Sequence, residues 1–364
     1  MSRYVPCITL SGLIAAGCAT PLTEGPDTSP QNPTAVLETH LVNDGVKGFV
    51  PFEGTTRSYT RSDMHREDST LKGTGTVTRF LVGNNESARI ERLDRRLVWT
   101  LDPKEKTYTE CPLKVCGGHA ATPPATRPSE KPAEKPKEPD CAMKIAAASF
   151  TVKPTGEKRA INGFDTEQYL VSWVVTLQDP KARKTTSTLA VDLWTTALTA
   201  PLKEAQAMQQ AYAKAYATEV IGTTVSSDKT VVVPAEAGRL IDAYLAPMMG
   251  AADKSGFLKA GKDLDKVKGY PILTKLTWDM KGTACAEQAE GKAAEEKPSL
   301  PTGKGDLLSS VTDFFVKKRS EEVTKEMADK PFLSFTSEVK AYRVEPVHDS
   351  VFNPPGNFRP VSPK

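Results

Sequence analysis

Residues 165–178, DTEQYLVSWVVTLQ, decide the fold class of this chain. Large apolar side chains stand at every second position, at Tyr169, Val171, Trp173, Val175 and Leu177. A two-residue period places these side chains on one side of a β-strand, whereas a helix would need a spacing of three to four. The segment therefore predicts a strand with at least one fully apolar face.

Other segments rich in Thr, Val and aromatic residues predict further strands. Turn signals such as Gly83-Asn84-Asn85 and Asp102-Pro103 separate several of them. The additional predicted strands are 55–69, 74–82, 87–93, 96–101, 106–113, 143–153, 185–195, 270–281 and 332–345. Short strands joined by tight turns indicate an antiparallel sheet.

Three segments have helical periodicity instead. They are 201–221, which opens with Pro201, a segment that starts at Pro234, and 306–327. Because strands and helices do not alternate regularly, we predict an α+β fold. It would be a large curved antiparallel sheet, a half-barrel, with amphipathic helices covering one face.

The first residues have the pattern of a bacterial export signal. Arg3 precedes the apolar stretch 7–16, which is too short to span a bilayer. Ala15-Ala16-Gly17 before Cys18 resembles the lipobox of bacterial lipoproteins. That resemblance implies removal of 1–17 and a diacylglyceryl cysteine, with acyl chains such as palmitate, at Cys18. Ala19 implies sorting to the outer membrane. The alternative is an ordinary secreted protein in which Cys18 has no special role.

Residues 19–36 are rich in Pro, Thr, Ser and Asn, so we predict a flexible tether over 18–36 and one domain over 37–364. Two low-complexity excursions, 117–140 and 283–303, would interrupt that domain. An oxidising compartment predicts two disulfides among the four remaining cysteines, with three possible pairings. These candidates are Cys111, Cys116, Cys141 and Cys285. A zinc site that adds His119 is the alternative, although the spacing matches no common zinc module.

No motif for catalysis, cofactor binding or metal binding is present, so we predict neither an enzyme nor a cofactor or metal site. The near-balanced net charge of +3 and the absence of a basic block argue against nucleic-acid binding. Asp63, His65 and Glu67 are two residues apart and would share one face of a strand, where they could seat a metal or an acid/base group. The alternative, which we favour, is the solvated face of an antiparallel strand.

Four segments together resemble a group of bacterial envelope proteins related to the outer-membrane lipoprotein carrier (LolA-type) fold. They are RLVWTLDPKEKTYTE (96–110), INGFDTEQYLVSW (161–173), DLWTTAL (192–198) and VHDSVFNPPGNFRPV (347–361). The resemblance implies a periplasm-facing domain with a sheet–helix cavity for a lipophilic ligand or a lipidated partner. Residues predicted to line such a cavity are Trp99, Trp173, Leu193, Trp278 and Phe335. The alternative is a structural or partner-binding envelope lipoprotein with a packed core and no ligand.

Overall fold

Twelve strands form one sheet in the structure, which is a computed structural model. The structure describes residues 27–46, 51–75, 78–79, 83–116, 143–221, 266–284 and 330–362. The strands are β1 (Gln31–Val46), β2 (Phe52–Thr60), β3 (Met64–Gly73), β4 (Asn84–Arg92), β5 (Leu97–Asp102), β6 (Thr107–Pro112), β7 (Lys144–Ile161), β8 (Phe164–Gln178), β9 (Lys184–Thr196), β10 (Tyr270–Gly282), β11 (Leu333–His348) and β12 (Arg359–Pro360).

Two meanders meet in the middle of this sheet. The strand order is β12-β6-β5-β4-β3-β2-β1-β11-β10-β9-β8-β7. Strands β1 to β6 run towards one edge, and β7 to β11 return from the other edge until β11 pairs with β1. Neighbouring strands are antiparallel, except that β12 pairs with β6 in parallel. The sheet is therefore mixed, although most of its ladder is antiparallel.

Helical segments are few among the described residues. Helix α1 is a single turn (Leu113–Cys116), and α2 (Ala200–Tyr216) continues into a π-helical turn (Ala217–Ile221). A 3-10 turn follows β11 at Asp349–Phe352. None of the helices in this part of the chain is long and apolar enough to span a membrane.

The prediction of an α+β fold with amphipathic helices covering one face is wrong. The described part of the chain is nearly all β, and α2 is its one helix of more than five residues. The segment that starts at Pro234 and the segment 306–327 lie outside the described residues. An apolar strand face does not require an amphipathic helix as its cover, because segments without such a helix also cover these faces, as Phe352 and Phe358 do here.

The two faces of the sheet can be followed from strand to strand, because directly paired residues lie on the same side. We call the side that carries Leu37 the front face and the side that carries Val36 the back face. One front-face row consists of Leu37, Ser58, Glu67, Arg89 and Thr100. Another consists of Phe335, Leu276, Val191, Val171 and Val152. The same face is thus polar over β2–β5 and apolar over β7–β11.

The back face has the opposite distribution. Its row across β1 to β5 consists of Val36, Tyr59, Arg66, Ile90 and Trp99. Ile90 and Trp99 are buried with Ala88 and Leu101 in one apolar cluster. The apolar side of the sheet therefore changes from the back face to the front face near β1. The N-terminal half of the sheet has its core on the back face, and the C-terminal half has its core on the front face. Strand β1 has buried side chains on both faces, since the adjacent residues Ala35 and Val36 point to opposite sides and both are fully buried.

The back-face core is covered by residues 349–361, which we call the C-terminal strap. Phe352 is fully buried in that core, and Val351 and Phe358 pack against it. Three arginines, two on strands and Arg61 in the turn after β2, donate to backbone carbonyls in and next to the strap: Arg61 to Val347 (2.7 Å), Arg66 to Val351 (2.9 Å) and Arg92 to Phe352 (3.2 Å). Charge-assisted hydrogen bonds of this kind fix the path of the first part of the strap, whereas its end pairs with β6 through β12.

Helix α2 lies on the front face near the junction of the two halves. Leu202 and Ala205 are buried against Ala35 and Tyr342, and the Tyr342 hydroxyl donates to Gln209 on the helix (2.8 Å). The helix also contacts β2. It therefore covers the place where the apolar part of the front face ends and the polar part begins.

Two boundaries differ from the sequence predictions. Strand β1 begins at Gln31, so residues 31–36 belong to the sheet rather than to the predicted 18–36 tether. The proline and polar residues there suggested a linker, but the small side chains of Ala35 and Val36 fit a buried central strand. The strand predicted over 74–82 is also wrong where it is described, because Thr78 and Arg79 form a helical turn. The Thr78 hydroxyl accepts from the Gly75 N–H (2.9 Å) and stabilises that turn.

Candidate functional site

The apolar front face of β7–β11 contains four of the five residues predicted to line a cavity. Leu193, Trp278 and Phe335 are at most 1% exposed, and Trp173 is half-buried beside them. A rim of partly buried apolar side chains surrounds the buried centre; it comprises Leu41, Phe150, Val152, Trp173, Leu189, Met280 and Phe332. The apolar face extends across five adjacent strands; its centre is buried, and the rim around it is partly exposed.

Trp99, the fifth predicted residue, lies on the opposite side of the sheet. It belongs to the back-face core, and its indole N–H donates to Glu110 on the neighbouring strand (2.8 Å). The structure therefore does not bring Trp99 together with the other four. Its strand has the same alternating pattern as β8, but alternation within one strand does not reveal which side of the sheet its apolar face occupies.

The centre of the front-face core is closely packed and its polar atoms are paired. The indole N–H of Trp278 donates to the Ser187 hydroxyl (2.8 Å), and Phe332 packs edge-on against the Trp278 ring. A satisfied N–H is what a buried tryptophan requires. These contacts stabilise the centre of the face, whereas the rim residues retain partial exposure.

A second, polar cluster lies on the front face of β3 and β4 beneath the end of α2. Its central group is Glu91, whose side chain is 6% exposed. One carboxylate oxygen accepts from Arg89 (2.7 Å), and the other accepts from the hydroxyl of Tyr212. A buried carboxylate is tolerated when it is paired and hydrogen-bonded in this way. Glu91 and the neighbouring Arg92 are both buried, although alternating charges such as those of residues 91–96 are typical of a solvated face.

Tyr212 joins the helix to this cluster. Burial, together with the negative charge of Glu91, raises the pKa of Tyr212, so that its hydroxyl stays protonated and remains a donor. The ring of His65 stacks on Tyr212 at 5.2 Å between centroids, and its Nδ1 shares a hydrogen bond with the Thr60 hydroxyl (2.9 Å). Burial also raises the pKa of the adjacent Tyr216. The cluster thus contains donors and acceptors that mainly satisfy one another.

The predicted grouping of Asp63, His65 and Glu67 is only partly formed. His65 and Glu67 share the front face of β3, whereas Asp63 precedes that strand. Within the described ranges, no group of three or more His, Cys, Asp and Glu side chains is arranged to hold a metal ion. His65 and Glu67 lie on a polar strand face, and α2 covers its His65 end through Tyr212.

One disulfide joins Cys111 at the end of β6 to Cys116 in α1, with 5.9 Å between the two Cα atoms. This is one of the pairings that the sequence left open. Cys141 and Cys285 lie outside the described residues, as do Cys18 and His119, so their roles remain predictions. The disulfide is near the polar cluster, because the carbonyl of Cys116 accepts from the Arg89 guanidinium (2.6 Å).

No family model, curated protein or solved structure matches the chain. The resemblance to the lipoprotein carrier group therefore stays a prediction, and the site is interpreted from its own chemistry.

Two open grooves of about 440 and 530 Å3 are lined mostly by residues of polar and charged types. Lys158, Glu167 and Lys268 line the first, and Arg57 and Asp68 line the second. Neither groove is lined by the five predicted cavity residues. Charged side chains that line the grooves form ion pairs with each other, as Lys158 and Glu167 do (2.6 Å). The apolar front face is therefore the stronger candidate for binding.

The start of the described chain is fastened beside the end of β11. Asp27 accepts from the hydroxyls of Ser29 and Ser350, and these bonds lower the pKa of Asp27 to about 2. His348 Nδ1 is 2.7 Å from the carbonyl oxygen of Ser29. Both serine hydroxyls donate to the Asp27 carboxylate, and the Ser29 hydroxyl also lies 3.4 Å from His348 Nδ1. These contacts anchor the start of the described chain beside the end of β11.

Proposed function

We propose that this chain is a lipid-anchored protein of the bacterial envelope that binds a lipophilic ligand, or an acylated partner, on the apolar front face of β7–β11. The observation that carries the proposal is that this face is apolar across five strands and has a partly exposed rim. Acyl chains bind to such surfaces through the hydrophobic effect, at about 25 cal/mol per Å2 of apolar area removed from water. Trp173 and Leu189 in the rim would contact the ligand first.

The anchoring part of the proposal rests on the sequence. The small residues before Cys18 and the apolar stretch 7–16 support export and lipidation, and Ala19 supports the outer membrane. Because Asp27 is held beside the end of β11, the tether would join the domain at that end of the strand. A domain held in this way could face the periplasm while its front face remained accessible.

The proposed site can be tested by quenching with a brominated fatty acid, because bromine quenches tryptophan fluorescence only at contact. Three single-tryptophan variants would retain Trp173, Trp278 or Trp99, with the other tryptophans replaced by Phe. We expect saturable quenching of Trp173 and weaker quenching of Trp278, which is deeper. Trp99 is the internal control, since it lies on the back face. Equal quenching of all three, or none, would contradict the proposal.

A second candidate function is a partner-binding envelope lipoprotein whose core is packed and holds no ligand. The pairing of Trp278 with Ser187 favours it, because a closed and satisfied interior needs no occupant. We expect such a protein to retain a stoichiometric envelope partner in a pull-down, and to lose it when the Pro-rich segment 118–140 is deleted. An intact complex after that deletion would argue against this second candidate.

A further inference from the structure

The Cys111–Cys116 disulfide is located where a reductant can reach it. Both cysteines are partly exposed. Strand β12 pairs with β6 only at Thr107 and Tyr108, so the outer side of β6 at Cys111 has no neighbouring strand among the described residues. A partly exposed disulfide at a sheet margin is more open to thiol exchange than one in a core.

A chain of hydrogen bonds connects this disulfide to α2. The disulfide holds the Cys116 carbonyl over the sheet, where this carbonyl accepts from the Arg89 guanidinium (2.6 Å). Arg89 also donates to Glu91 (2.7 Å), and the second oxygen of Glu91 accepts from Tyr212. Each link is charge-assisted or buried, so a change in the position of Arg89 would reach the helix through two contacts.

A second set of contacts joins the same two places. Helix α1 packs against the π-helical turn 217–221 that follows α2. Its Leu113 is fully buried, and the Leu113 N–H donates to the carbonyl of Arg96 (2.8 Å). The Arg96 side chain in turn pairs with Glu219 in the π turn (3.1 Å). The disulfide thus closes the one-turn helix that supports the end of α2 from the sheet margin.

We propose that the Cys111–Cys116 disulfide is a redox-sensitive latch that sets how firmly the C-terminal end of α2 is held on the front face. Reduction by a dithiol breaks the Sγ–Sγ bond and forms two thiols, while the dithiol gives up two electrons and two protons and closes its own disulfide. Release of Cys116 loosens α1, frees Arg89 from the Cys116 carbonyl and weakens the attachment of Tyr212 and the π turn. The latch does not depend on the lipophilic ligand.

Hydrogen–deuterium exchange of the full chain tests the latch directly. Replacing the other four cysteines, Cys7, Cys18, Cys141 and Cys285, by Ser leaves the latch as the one reducible bond. We expect amide exchange in residues 209–221 to become about tenfold faster after reduction with dithiothreitol, since a charged hydrogen bond no longer opposes local opening. Residues 184–196 in β9 provide the internal reference and should be unchanged. Equal exchange of 209–221 in both redox forms would overturn the proposal.

Two arginine variants test the relay. In Arg89→Gln, the disulfide remains but the relay is broken, so we expect fast exchange of 209–221 already in the oxidised form and less than about a twofold further increase on reduction. Arg57→Gln is the matched control, because Arg57 is an exposed back-face arginine with no contact to the cluster, and it should retain the full response. A full tenfold response in Arg89→Gln would show that the disulfide does not act through Arg89.

Discussion

Truncating Phe352 should remove the main apolar contact of the C-terminal strap. The ring is fully buried against Ile90 and Trp99, and the Arg61 guanidinium lies over it at 4.7 Å from the ring centre. Replacing a buried phenylalanine by alanine costs about 3–5 kcal/mol, including the cavity that it leaves. The lost cation–π contact adds about 0.5–2 kcal/mol. We therefore expect Phe352→Ala to lower the free energy of unfolding by about 4 kcal/mol or more.

Urea denaturation followed by tryptophan fluorescence measures this loss, because Trp99 reports on the same core. Val361→Ala is the matched control from the same end of the chain, since Val361 is 41% exposed and its truncation should change stability by less than about 0.5 kcal/mol. A loss below about 1 kcal/mol for Phe352→Ala would refute the reasoning that the strap supports the back-face core.

Three further predictions follow from single contacts. Tyr212→Phe removes a donor to buried Glu91 and should cost about 1–3 kcal/mol in thermal or urea unfolding; an unchanged stability would contradict the role of the hydrogen bond. The pKa of Asp27 is about 2, below its usual 3.8, so the stabilising effect of this carboxylate is present above pH 3.8 and is lost as the pH falls towards 2. NMR titration should show that step, and Asp27→Asn should abolish it. Gly163→Ala should cost about 1 kcal/mol because φ there is +83°, whereas Gly356→Ala, without a positive φ and with nothing nearby, should be tolerated; equal melting temperatures would contradict this.

The strands with the clearest two-residue period were predictable from the sequence. The segment 165–178 coincides almost fully with β8 (Phe164–Gln178), and 185–195 lies within β9 (Lys184–Thr196). Alternation of large apolar side chains is a local signal, so it can be read without knowing which strands pair. The 201–221 helix was predictable because helical periodicity is also a local signal, although its last turn is π-helical.

The exchange of the apolar side at β1 could not be predicted in the same way. Each strand's pattern shows that it has an apolar side, but pairing and register determine which side of the sheet that becomes. Trp99 and Trp173 were therefore assigned to one cavity although they lie on opposite faces. The adjacent burial of Ala35 and Val36 is the local signal of a strand that serves both faces.

The polar cluster was missed because its partners are distant in the sequence. Glu91 and Tyr212 are separated by 121 residues, and the charged residues around Glu91 are typical of a solvated segment. Only the packing of α2 on β3 and β4 makes that carboxylate buried. Neither a tyrosine at helical spacing nor an alternating run of charges identifies its partner from the sequence alone, because the fold determines which of them meet.

The most direct test of the proposed function is native mass spectrometry of the Cys18→Ser full chain, purified without detergent. We predict a population with the added mass of a bound lipid, identified as such after solvent extraction. Trp173→Gln, at the rim, should lose most of that population. Leu170→Gln is the matched control, because Leu170 is on the same strand, faces the back and is 43% exposed, and this variant should retain the lipid. A chain that carries no lipid, or equal retention in both variants, would contradict the proposal that the front face of β7–β11 is the binding site.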